Sequence, residues 1–236
     1  MPGTRAEYEA QLSAKNLQIE KAGYLQFGIV DRWQQLTTDF AYFRVLQAAE
    51  KNPAWKANRA WFKADKRRRE VLILHAIGDL SHLVGDGSQP LHASTHYNGW
   101  GDYPNPEGFT QARIHSMFEG ALVRNGVKMP AVEAAMVAPR DCACAIEQRV
   151  VDYLMATSKT VTPLYELEKV GGLTQGDPRG PKFAAERMGV GASELRDLIA
   201  LAWTASANSK VGWRPIAVQD VLAGKVDPYP ALYSID

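Results

Sequence analysis

The chain has 236 residues, 46% hydrophobic and 22% charged, which is enough apolar material for a full core and excludes a disordered tail or a mini-protein. Its 27 Lys and Arg against 26 Asp and Glu leave a formal charge of +1, so no global field draws it to nucleic acid or to an anionic membrane. Phosphate chemistry would have to come from a local site.

The first seven residues, Met1 to Glu7, carry no apolar core behind a basic start, so they do not read as a secretory signal peptide. No later run approaches the roughly 20 apolar residues of a bilayer span, and an integral membrane protein is not expected. Apolar residues recur at three- and four-residue steps, which predicts an all-α, multi-helical single domain over 1–236. A helix is expected over 24–50, with Ile29, Trp33, Leu36, Phe40, Phe43 and Gln47 on one stripe. Asn52-Pro53 reads as an N-cap followed by proline at the first helical position, opening a helix to about 65. A fresh helix starts near 66. Turn formers such as Asn98-Gly99 and Gly101-Asp102 make 87–108 a loop. Helices resume at 110–125, 141–158, 163–170, 182–188 and 193–206, the last opening on Ser193-Glu194. The proline-bearing tail 225–236 should lie extended on the surface. Cys142 and Cys144 have one residue between them, a spacing that implies no disulfide framework and no usual zinc pattern. They read as small residues at a helix start.

The five histidines all fall between His75 and His115, a window of 41 residues. Spacings of four, three and four place His75, Asp79, His82 and Asp86 along one helical face. Two imidazoles and two carboxylates in a row suit a cation, because both groups are good zinc ligands and an i, i+4 pair can chelate from one helix. A buried polar seam would use the same pairs. Beyond Asp86, His92 follows Gln89-Pro90-Leu91 in a turn, and His115 and Glu119 are again four apart.

His82-Leu83-Val84-Gly85-Asp86, then Gln89-Pro90-Leu91-His92, then His115-Ser116-Met117-Phe118-Glu119 resemble the H-x-x-x-D, Q-P-L/M-H, H-x-x-x-D/E series of the zinc-dependent phospholipase C and single-strand-specific nuclease superfamily. The likeness is strong over 82–119 and weaker in the surrounding helices. It implies the all-α fold of that type and a zinc-dependent hydrolase that cleaves phosphate esters, as a phosphodiesterase, through zinc-activated water. One to three Zn2+ ions are implied, two of them expected in this chain. Carried over by position, His82 and Asp86 bind one ion, with Asp86 able to bridge, and His92, His115 and Glu119 hold another. The substrate would be a phospholipid headgroup or single-stranded nucleic acid, with no stable protein partner.

The chain also departs from the family pattern. Family members complete their sites with an N-terminal tryptophan, an early histidine and a further upstream aspartate and histidine, whereas no histidine here precedes His75 and the first tryptophan is Trp33. The catalytic base is expected upstream and is assigned to no residue. Either the chain lacks that segment, the favoured reading, which would make it secreted or periplasmic, or it is a divergent member with fewer metals. The alternative function is a non-catalytic, metal-stabilised helical protein with an incomplete zinc site. His75 and Asp79 either orient or extend the ligand set, or form a packed helix contact. His96, Asn98 and Trp100 either touch substrate or, with Tyr103, pin the loop to the body. The basic run Lys66 to Arg69 either attracts phosphates or is a solvated helical turn.

Overall fold

A computed structural model describes residues 1–140, 142 and 144–233. Among them the structure is mostly helical, with irregular stretches such as 94–114 and one antiparallel hairpin pairing Lys210–Val211 with Ile216–Ala217. The fold is all-α. The chain divides into two compact units, each assembled from two stretches of sequence: Met1–Val30 with His82–Arg196, and Asp31–Ser81 with Asp197–Asp236. The divisions fall inside the helices Leu25–Lys51, Arg59–Ser88 and Arg179–Ser206, which is why no linker composition marks them.

The core of the first unit gathers Leu91, Phe109, Ile114, Phe118, Leu164 and Tyr165. In the second, Ala41, Val45 and Leu46 of the Leu25–Lys51 helix meet Phe62, Trp55 and the hairpin residue Val211. Each large side chain buried in this way contributes roughly 1.5–3 kcal/mol. The expected helix at 24–50 forms with nearly those bounds, and Ile29 and Leu36 of its stripe are fully buried.

Several expected boundaries are corrected. No break occurs at 65–66: a short 3-10 segment, Pro53–Asn58, leads into one helix, Arg59–Ser88. That helix also overruns the predicted loop start at Gly87. There the glycine serves close approach, because a Cβ would meet Cε1 of Tyr153 at 2.7 Å. Likewise 182–188 and 193–206 fuse into Arg179–Ser206. Gly189 lies within it because Ala135 packs there, 2.7 Å from where a Cβ would be. Ser193 is not a cap; its hydroxyl donates to the Gly189 carbonyl and accepts from Val137 N–H.

The predicted helix 110–125 begins only at His115. Its first residues are held by the loop instead: Thr110 O accepts from Trp100 N–H (2.9 Å), and Gln111 Oε1 accepts from Gly101 N–H (2.9 Å). The expected start at Asp141 lies outside the described residues, and that helix is described from Ile146. Cys142 and Cys144 precede it and are joined by a disulfide, against expectation. Their Cα atoms are 5.1 Å apart, inside the range that bridged cysteines span. The tail is not extended either. Tyr229–Tyr233 is helical, Tyr229 N–H donates to Asp227 Oδ1, and Tyr229 and Tyr233 pack on Phe62. The predicted 234–236 portion lies outside the described residues.

Candidate metal centre

The site lies in the first unit and is built by a turn and a helix. After Ser88 the chain leaves the helix at Gln89, whose side chain caps the following 3-10 turn by accepting from Leu91 N–H (2.9 Å). Pro90 suits the first position of that turn because it has no N–H to leave unpaired. Pro90 and Leu91 are buried, which fixes the turn and leaves His92 at the surface. The second element starts at His115, whose N–H is taken by Asn98 Oδ1 (3.2 Å). It passes into a π-helical segment, Met117–Leu122, with Phe118 and Leu122 buried and Glu119 exposed. Such wide turns occur often at functional sites.

These elements bring His92, His115 and Glu119 together. Nε2 of His92 lies 2.9 Å from Nε2 of His115, and Glu119 Oε2 lies 3.5 Å and 3.2 Å from those two atoms. Among the described residues this is the one group of three His, Cys, Asp or Glu placed to hold a metal. The opposite side of each ring faces an acceptor. His115 Nδ1 donates to the Tyr97 carbonyl (2.8 Å), and His92 Nδ1 lies 3.1 Å from Asp86 Oδ1. A carbonyl and an ionised carboxylate only accept, so the network assigns the proton of each neutral ring to Nδ1. Two bare Nε2 lone pairs and a carboxylate oxygen then converge on one point. A metal ion would take all three at once; without one, a proton shared between the two Nε2 atoms and the Gln89 amide on Glu119 Oε2 satisfy them.

No family model, no curated protein and no solved structure matches this chain. Tetrahedral zinc with bonds of 2.0–2.2 Å sets neighbouring donors about 3.3–3.6 Å apart; the Glu119 separations of 3.2 and 3.5 Å are close to that, and the two imidazole Nε2 atoms, 2.9 Å apart, would move apart to take the ion. The three residues fit a metal of this size.

The other expected residues are placed differently. His82 is exposed, its Nε2 3.5 Å from Asp86 Oδ2, and neither residue joins the three-donor group. His75 and Asp79 form their own exposed pair at 3.5 Å in the second unit, where Arg32 also approaches Asp79 at 3.7 Å. His96 stacks on Trp100 with ring centroids 3.7 Å apart, and its Nδ1 lies 2.6 Å from the Trp100 carbonyl. Trp100 packs on Phe109 and Tyr165, with its indole N–H on Pro104 O (3.0 Å). These contacts anchor the loop.

Two contributors were given no role by the sequence reading, although Gln89 stands in the 82–119 series. Gln89 donates through Nε2 to Glu119 Oε2 (3.3 Å), steadying that carboxylate. Its place before Pro90 in the Gln89-Pro90-Leu91-His92 series is the signal that could have marked it. Tyr165, fully buried, donates to the His96 carbonyl (2.7 Å) and accepts from Gly99 N–H (3.1 Å). Burial pushes its phenol up to about 12, opposed by the Gly99 hydrogen bond. Gly99 adopts φ +98°, and a Cβ there would meet the Gln111 carbonyl at 2.7 Å. No local sequence pattern points to Tyr165. A cavity of about 1100 Å³ in the same unit is lined by Met117, Ala121, Leu122, Val127 and Leu173 among others, and by none of the three donors. It is not the metal centre.

Proposed function

We propose that the chain is a zinc-dependent hydrolase of phosphate esters, with its metal held by His92, His115 and Glu119. The observation that carries this is the convergence of two imidazole Nε2 atoms and one carboxylate oxygen, with both Nδ1 atoms turned to acceptors. A proton can bridge two of those atoms; a metal ion takes all three. The same three residues form one ligand set in the superfamily that the 82–119 series resembles, and two His with one Glu leave a fourth position for water or substrate, the pattern of catalytic zinc.

The chain's own residues prepare the site before anything binds. The Tyr97 carbonyl holds the His115 ring, the Asp86 carboxylate holds His92, and the Gln89 amide holds Glu119. Positions fixed in advance need no reorganisation during reaction. His92 and Glu119 are exposed, so a bulky ester reaches the donors directly from solvent. A bound zinc would acidify a coordinated water and neutralise phosphoryl oxygens as charge develops. That local charge would replace the basic surface that a chain of formal charge +1 lacks.

A second reading is favoured by one feature. The donors come from two segments, the turn at His92 and the helix at His115, so a metal there would also staple them together. The test separates the two. The purified protein should carry zinc by elemental analysis and cleave bis-p-nitrophenyl phosphate, and His115→Ala should lose both the metal and the cleavage. Zinc without cleavage, with His92→Ala lowering only the melting temperature, would leave the stapling role. Protein free of metal and unable to bind it would end both readings.

A further inference from the structure

The total charge of +1 conceals a local excess in the second unit. On the Arg59–Ser88 helix, Arg59, Lys63, Arg67 and Arg68 are exposed, against one exposed acid in the same turns, Glu70. Arg59, Lys63 and Arg67 have no ion-pair partner among the described residues, and Arg68 has only Asp65 at 3.7 Å. The rest of the basic run is used internally: Lys66 bridges to Glu50, and Arg69 bridges to the buried Asp39 at 3.1 Å while lying over the Tyr42 ring.

The same face carries apolar side chains that the unit does not cover. Val71 is 66% exposed and Leu74 70%. Leu72 and Trp61, about half exposed, lie on the other side of the helix, and the Trp61 ring packs on Tyr233 at a 40° tilt with centroids 5.8 Å apart. Lys63, Arg67, Val71 and Leu74 follow one another at steps of four, four and three, which is one side of a helix. Aliphatic side chains this exposed and contiguous mark an interaction surface.

We propose that this face, residues 59–74, is a docking surface for an anionic lipid bilayer. Val71 and Leu74 suit the acyl boundary, and the long cationic side chains of Lys63 and Arg67 on the same side reach the phosphates of the headgroups. The charges select among occupants. A second copy of the chain would bring two such cationic rows together with one exposed acid each, Glu70, to offset them. A nucleic acid would neutralise the cations and leave Val71 and Leu74 in water. An anionic bilayer satisfies both sets at once. The inference stands on the second unit alone and does not depend on the metal centre.

The experiment is co-sedimentation of the full chain with vesicles of phosphatidylcholine alone and of phosphatidylcholine with 30% phosphatidylglycerol. Partition into the anionic vesicles is expected, weakening as salt rises and weak for the neutral ones. Near an anionic surface each cation is worth about five-fold in affinity, so Lys63→Gln with Arg67→Gln should weaken partition about 25-fold. Leu74→Asp should weaken it at least ten-fold without changing the circular dichroism spectrum or the zinc content. The idea is overturned by any of four results: no partition into anionic vesicles, equal partition into neutral ones, variants that bind like the parent, or a single-stranded oligonucleotide that displaces the vesicles. Dimerisation that Leu74→Asp abolishes would overturn it as well.

Discussion

Replacing Asp86 separates two roles for that residue. The resemblance makes Asp86 a metal ligand, whereas its Oδ1 lies 3.1 Å from His92 Nδ1 and outside the three-donor group. As an orienting partner it fixes both the ring and the tautomer of His92. Asp86→Ala would free the ring about its broad terminal torsion and let the proton move to Nε2, where it blocks the metal. Loss of such a partner costs about 10- to 100-fold in metal affinity, or roughly 1.4–2.7 kcal/mol. Asp86→Asn keeps an oxygen acceptor and should cost less than ten-fold. The assay is competition against a chromogenic chelator, with metal per chain counted by mass spectrometry. Weaker affinity at unchanged stoichiometry is expected. Loss of a whole metal equivalent would make Asp86 a ligand, and unchanged affinity would make the contact idle. Either result refutes the orienting role.

Arg149 and Glu194 form a buried bidentate pair, with Nε to Oε1 at 2.6 Å and Nη2 to Oε2 at 3.0 Å. Arg149→Ala removes the buried partner and leaves Glu194 with Arg140, whose Nη2 lies 3.2 Å from Oε2, so the cost should stay below that of a stranded charge, about 1.5–3 kcal/mol in urea unfolding; a change under 1 kcal/mol would contradict the burial argument. Tyr165→Phe leaves the Gly99 N–H and the His96 carbonyl without a partner, so about 1–3 kcal/mol should be lost. Zinc affinity should fall with it, because the same loop carries the Tyr97 carbonyl that holds His115. The Tyr165 phenol is raised from 10.0 to about 12 in the folded chain. Its contribution to stability is therefore complete below pH 10 and drains away between 10 and 12, since the unfolded chain ionises first. Denaturation midpoints across that range should fall less steeply for Tyr165→Phe. Gly87→Ala drives a methyl to 2.7 Å from the Tyr153 ring and should destabilise by about 1–3 kcal/mol; a neutral effect would show that the ring shifts freely.

The long helix 25–51 was legible because its apolar period runs without glycine or proline at a structural break. Spacing marked the His115–Glu119 pair and the Gln-Pro turn before His92, while the grouping of the three as one ligand set came from the resemblance of the 82–119 series. Breaks were misjudged where one residue type has two uses. Gly87 and Gly189 read as terminators, yet both make room for a neighbour inside a continuous helix. Ser193 reads as a cap and is spent on a carbonyl one turn back. The groups that set the imidazole tautomers were legible only in part. Asp86 has a spacing, but the Tyr97 carbonyl belongs to every residue type alike and is placed by the loop's tertiary packing.

The interleaving of the two units bears on how the chain is made. Residues 31–81 emerge from the ribosome before the whole of His82–Arg196, and their core partners Val211, Val218 and Val221 come after it. At ordinary rates of synthesis that delay is on the order of ten seconds. Throughout it Phe62, Trp55 and Val45 lack the surface that later covers them. The second unit is thus sticky during translation, and chaperone supply and growth temperature should govern its yield more than its final stability does.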